Sequence, residues 1–218
     1  MMCLYGERGV DCSKGGIRVM NVSIPMTALS DQELIRAYLH GEESAFEFLM
    51  RRYLPLIFRF VSRLVQDPAL AEDVTQETFI RVWKKASSFH PDRSFKSWLF
   101  TIAKHAAFDA MKKKKPMLFS ELNTSEGELS FEESLEDERL LISTLLLKAE
   151  AKQGLEEAIL TLSLPARTIV LLHGIEQLTF QDCAEVLHES IDTVKSRYRR
   201  ALFTLKQSLE SEMHQKGD

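Results

Sequence analysis

Glycine and proline are scarce in this chain, nine and six among 218 residues. With so few turn formers and no alternating polar and apolar runs, a sheet protein is excluded and an all-α fold is expected. Cysteine is scarcer still. Cys3, Cys12 and Cys183 make an odd number without metal-ligand spacing, which argues against a disulfide framework and for a reducing, cytoplasmic setting. Long apolar runs are missing too. LLISTLLL at Leu140–Leu147 is the longest, far below the roughly 20 residues that cross a bilayer, so no membrane insertion is expected. The first twenty residues lack the continuous apolar centre of a signal peptide. Nor does the chain carry a phosphate-cradling glycine loop, paired metal ligands or a nucleophile motif, and its six histidines are scattered. An enzyme is therefore not expected, and no catalytic residue, metal or cofactor is assigned.

What the chain does have is charge in blocks. The total is −4, but residues 28–116 are net positive, and residues 117–147 carry eight acids against Arg139 alone. The deficit lies in one short stretch, so a modest total does not exclude nucleic acid as a partner.

Two helical blocks flank that stretch. The first opens at SDQE, where Ser30 caps and Glu33 reaches back, and SAFE repeats the device with Ser44 and Glu47. In the long amphipathic segment that follows, Pro55 is expected to kink or split the helix. Asp67-Pro68 starts a third helix whose Val74, Phe79, Val82 and Trp83 form the expected core side. A loop containing Phe89 and Arg93 leads to a fourth helix, FKSWLFTIAKHAAFDAMKKKK, in which Phe95 and Trp98 read as core. Pro116 ends the block. Helical pattern returns near Leu135, and Pro165 begins a helix that stops at Gly174. Four segments follow: a disordered extension over 1–27, a helical bundle over 28–116, a flexible acidic linker over 117–148, and a helical domain over 149–212.

The stretch FQDCAEVLHESIDTVKSR fits a helix-turn-helix. Thr179 caps the first helix with Asp182 at its third position, Leu178 staples onto Cys183, and Ser190 caps the second. Ala184 is small where the helices must meet. Val194, Tyr198, Ala201 and Leu205 share an inward face; Asp192, Lys195, Ser196 and Arg199 share the outer one, with Arg200 beside it. Such a face suits a major groove, where Arg and Lys donate to guanine edges and phosphates; a solvated basic face is the alternative. His188 stands at a turn position that often holds glycine, so either this residue adopts a left-handed conformation at some cost or the turn is built differently.

The block LPARTIVLLHGIEQLTFQDCAEVLHESIDTVKSRYRRAL resembles region 4 of sigma factors of the extracytoplasmic-function group. DPALAEDVTQETFIRVW and RSFKSWLFTIAKHAAFDAM resemble region 2 of the same group, in the same order along the chain. The resemblance implies a factor that binds core RNA polymerase, through its β′ clamp helices and β flap, and directs it to promoter DNA. An anti-sigma factor is implied as a further partner. Region 4 would read the −35 element through Asp192, Lys195, Ser196, Arg199 and Arg200 with their neighbours Thr193 and Arg197. Asp73, Gln76, Glu77 and Ile80, at helical spacing on one face, would dock on the clamp helices. Phe89, Arg93, Lys96, Lys104, His105 and Phe108 would capture the melted −10 strand, aromatics stacking on bases and cations meeting phosphates. His105 stands where many members of the group have asparagine. The acidic linker would thread a basic channel of the polymerase; a solubilising spacer is the other reading. A polymerase- or DNA-binding adaptor without sigma activity remains the competing function.

Overall fold

The computed structural model describes residues 26–90, 93–114 and 149–215, and among them all regular structure is helical. The acidic linker and the helical start near Leu135 lie outside the described residues, as does the extension before residue 26. Helices α1 (Asp31–Leu39), α2 (Glu43–Val65), α3 (Pro68–Lys85) and α4 (Phe95–Lys114) form the first bundle. Helices α5 (Ala149–Thr161), α6 (Leu164–Ile169), α7 (Phe180–Leu187) and α8 (Ile191–Gln215) form the second half.

The caps act where the sequence places them, with one exception. Ser30 Oγ accepts from Glu33 N at 3.3 Å while Glu33 Oε2 accepts from Ser30 N at 2.7 Å, closing a capping box on α1. Asp67 Oδ1 accepts from Leu70 N at 3.1 Å, with Pro68 in the first turn of α3. Ser44 is the exception. The helix begins at Glu43, two residues before the Ala45 start that a Ser44 cap requires, so Ser44 lies inside it, donates to the Glu42 carboxylate and caps nothing. Pro55 does not split α2 either. Its ring and Arg51, whose carbonyl loses the N–H partner, are both exposed, so that oxygen is open to solvent rather than stranded in the core.

The core of the bundle is aromatic. Phe60 meets the Phe100 ring edge-on at 5.1 Å, and Tyr53 lies 5.6 Å from Phe95. Leu49, Ile57, Leu64 and Leu99 fill the rest. Trp83, expected inside with Val74 and Val82, is instead 61% exposed. It follows Val82 directly, and neighbouring helical positions point about 100° apart, so one of the pair had to turn outward.

In the second half α6 widens into a π-helical turn over Val170–Ile175, one residue beyond the expected stop at Gly174. Glu176 N donates to Leu171 O at 2.9 Å, five residues back. Val194, Tyr198, Ala201 and Leu205 are all buried, as their spacing requires, against Ile169, Cys183 and Val186. His173 is buried at the centre. Its Nδ1 lies 2.7 Å from Leu178 O, its ring stacks on Phe180 at 3.9 Å, and Tyr198 meets it edge-on at 4.8 Å.

Candidate protein and nucleic-acid interfaces

Helix α3 presents one face to solvent along its length. Asp73, Gln76, Glu77 and Ile80 are all exposed there, as their spacing predicts, while Val74, Thr75, Thr78 and Val82 are buried. Ile80 is 45% exposed, and Trp83 lies three residues on, so the two form an apolar end to an acidic stripe. Trp83 is a member of this face that sequence reasoning assigned elsewhere. The signal was present: its i+3 relation to Ile80 carries the same information as the spacing of the other four. Glu77 Oε1 accepts from Arg81 Nε at 2.8 Å, and Arg81 reaches Asp109 of α4 at 3.1 Å, which fixes the stripe's orientation on the bundle. The hydrogen bond from Arg81 also holds the Glu77 carboxyl below its ordinary range.

The second interface is the helix-turn-helix. Thr179 Oγ1 accepts from Asp182 N at 3.0 Å and Asp182 Oδ2 accepts from Thr179 N at 3.1 Å, so α7 begins with a full capping box. Leu178 and Cys183 are both buried beside it, and burial pushes the Cys183 thiol up to about 12. His188 takes the left-handed conformation at φ 57° and ψ 43°, as its position in the turn requires. Ser190 Oγ accepts from Thr193 N at 3.1 Å and caps α8. On α8, Asp192, Thr193, Ser196 and Arg199 are exposed, and Lys195, Arg197 and Arg200 are half-buried. Arg197 is tied to the Glu189 carboxylate, and the Thr193 hydroxyl lies 2.8 Å from Ser190 Oγ. Those two therefore brace the turn, and Lys195, Ser196 and Arg199 are left as the outward edge.

The residues assigned to single-strand capture do not form one open surface. Phe89 is buried, with its ring 4.9 Å from Trp98 and 5.5 Å from Phe95. Phe95 is core as expected, Trp98 and Phe108 are partly buried against it, and Arg93 is exposed. Lys104, expected at the surface, is only 6% exposed: its Nζ donates to Val186 O of α7 at 2.7 Å. Burial holds this ammonium below the ordinary lysine range. Lys96 donates to the Glu176 carbonyl. Of the assigned residues Arg93 and His105 are exposed, His105 beside Asp109 and the start of the interface with the second half. No local pattern in the sequence announces this contact, because it joins residues about 80 positions apart.

Two family models match the chain: Sigma-70 region 2 over residues 49–116, and Sigma-70, region 4 over residues 152–205. Among curated proteins, the ECF RNA polymerase sigma factor SigW of Bacillus subtilis is 29% identical over 177 residues, 80% of this chain and 94% of that protein. The ECF RNA polymerase sigma-E factor of Escherichia coli is 29% identical over 176 residues, 79% of this chain and 91% of its own. Two solved structures share the fold. CnrH, in complex with the cytosolic domain of CnrY, superposes with a TM-score of 0.60 at 22% identity, covering 83% of this chain and 97% of that one. The sigma factor RpoE of Bartonella quintana, in complex with the anti-sigma factor NepR, gives 0.59 at 24% identity, with 76% and 96% covered. Among the described residues no helix is long and apolar enough to cross a membrane.

Proposed function

This chain belongs to the extracytoplasmic-function group of the sigma-70 family, and from that premise we propose how its surfaces divide the work of starting transcription. The α3 face, with Ile80 and Trp83 at its apolar end, docks on the clamp helices of the core polymerase β′ subunit. Helix α8 enters the major groove of the −35 element, with Lys195, Ser196 and Arg199 toward the bases and Arg200 at the flank. The α4 face, with Lys96, Lys104, His105 and Phe108, takes the melted −10 strand once the second half has moved away; Arg93 lies at its entry. Residues 28–116 then act as region 2, residues 149–212 as region 4, and the acidic segment between them as the tether. The chain supplies recognition and strand capture in the cytoplasm, the polymerase supplies the chemistry, and an anti-sigma protein holds the factor in reserve.

The observation that carries this reading is the pairing, in a single chain, of an exposed acidic-apolar docking face with a fully capped helix-turn-helix. Acidic charge on α3 repels DNA and so belongs to a protein partner, while the outward edge of α8 is basic. Run-off transcription with purified core polymerase on a genomic fragment library tests it. RNA chains starting at defined positions only when this protein is present are expected; their absence overturns the reading.

Lys195→Ala is expected to weaken promoter-fragment binding by about 1–3 kcal/mol if the ammonium meets a base, and to lower the salt slope by about one if it meets a phosphate. Titration over a series of salt concentrations separates the two outcomes. Arg200→Ala, checked in the same way, should show the phosphate pattern because the side chain is half-buried at the flank.

A further inference from the structure

The two halves meet along α2, where Arg59 pairs with Glu176 at 2.8 Å and Arg63 with Glu156 at 2.7 Å, and where α4 faces α7. Lys104 Nζ donates to Val186 O at 2.7 Å, Ser97 Oγ donates to Asp182 Oδ1 at 2.6 Å, and Lys96 donates to the Glu176 carbonyl. Val186 lies in the last turn of α7, where carbonyls have no helical partner and the negative end of the helix dipole lies. The cations of the capture face are thus held by backbone oxygens of the other half, in the place of phosphate oxygens. At the rim of the same contact two imidazoles stack. His105 of α4 and His188 of the turn after α7 lie 5.6 Å apart between ring centroids, with 11° between their planes.

We propose that this contact is a proton-sensitive latch: with the His105 imidazole neutral the second half closes over α4, and its protonation releases it. The capture role of α4 rests on the function proposed above; the latch itself does not.

The charged groups around the pair decide the direction. From α4 come Lys104 and Asp109, from the end of α3 Lys85, and from the turn after His188 the carboxylate of Glu189. Asp109 is already engaged by Arg81 at 3.1 Å, and Glu189 by Arg197. A proton placed on the His105 ring therefore meets an ammonium and a second imidazole, while the acids that would favour it are shared with arginines. Neutral rings stack there without opposition. Burial first, then Lys104 and His188, hold His105 below its ordinary value of 6.5. Separation of the halves removes His188 from a ring that already reaches solvent and completes its hydration, so the open form binds the proton more tightly. The closed form thus has its full advantage above about pH 6.5 and loses it as the pH falls below that value.

The consequence is a factor whose strand-capture cations are covered near neutrality and freed by mild acid. Small-angle X-ray scattering of the full chain at about pH 7.5 and about pH 5.5 tests it, on either side of the ordinary histidine value. A compact particle is expected at the higher pH and a larger radius of gyration at the lower, with helical circular dichroism unchanged, which separates release from unfolding. The double variant His105→Gln, His188→Gly keeps the left-handed turn with a residue for which that conformation is unstrained. It should stay compact at both pH values. Ser97→Ala, which loosens the contact without touching either ring, should move the opening midpoint to higher pH. A wild-type radius that is the same at both pH values overturns the proposal, as does a double variant that opens as the wild type does. The measurement contains neither polymerase nor DNA, so failed initiation and a failed latch are told apart.

Discussion

Core RNA polymerase is expected to bind the Ile80→Ala, Trp83→Ala double variant at least about 30-fold more weakly than the native chain, a loss of about 2 kcal/mol or more. The magnitude follows from what the two side chains are. A tryptophan that is 61% exposed beside an isoleucine that is 45% exposed leaves a large apolar area in water, and a docking partner removes that area. Tryptophan at the centre of an interface is among the residues whose truncation costs most. The acids of the stripe contribute differently. Asp73 and Gln76 lie toward the other end of the face, where solvent screens them, so their replacement by alanine should slow association and flatten its salt dependence more than it weakens the final complex. Neither change touches a buried group, so thermal unfolding should be unaffected. Fluorescence titration of labelled core enzyme measures the affinity, and retention of native affinity by the double variant removes the docking role of α3.

Phe60→Ala is expected to cost the first bundle about 3–5 kcal/mol, the range for deleting a fully buried aromatic ring. Phe60 is 1% exposed on α2 and lies edge-on against Phe100 of α4, so its loss opens a cavity between two helices and removes a ring-to-ring contact together. Isolated helices of this length are marginal in water, and here the packed face supplies most of what keeps α2 and α4 together. Urea unfolding followed by circular dichroism checks the value; a loss below about 1 kcal/mol would mean that the bundle collapses around the gap. The α3 face should lose its polymerase affinity in parallel with folding, unlike the surface variant above.

Local rules made most of the fold readable. Capping signals at Ser30, Asp67, Thr179 and Ser190 mark true helix starts, because a side-chain oxygen three residues ahead of an amide is a short-range matter. The inward face of α8 follows equally from helical spacing. Failure came where the partner is distant in sequence. Trp83 looked like core because large apolar side chains usually are, yet its direction is set by helical phase, and that phase agrees with Ile80. Lys104 looked like surface because lysines usually are, yet its ammonium finds a carbonyl 82 residues away. Ser44 failed for a subtler reason: the same residue type caps or sits inside a helix depending on a two-residue difference in where the helix starts.

Arg167 gives the seam between the halves a definite grain. Its guanidinium donates to the carbonyls of Leu160 and Leu162 within its own half, the latter at 3.0 Å, but reaches Arg63 O and Leu64 O on α2 only at 3.5 and 3.4 Å. When the two bodies part, this side chain keeps its close neighbours and gives up the distant ones, whose oxygens water can serve instead. Parting the halves therefore costs the Arg59–Glu176 and Arg63–Glu156 ion pairs, at 2.8 and 2.7 Å, while Arg167 stays with its own half.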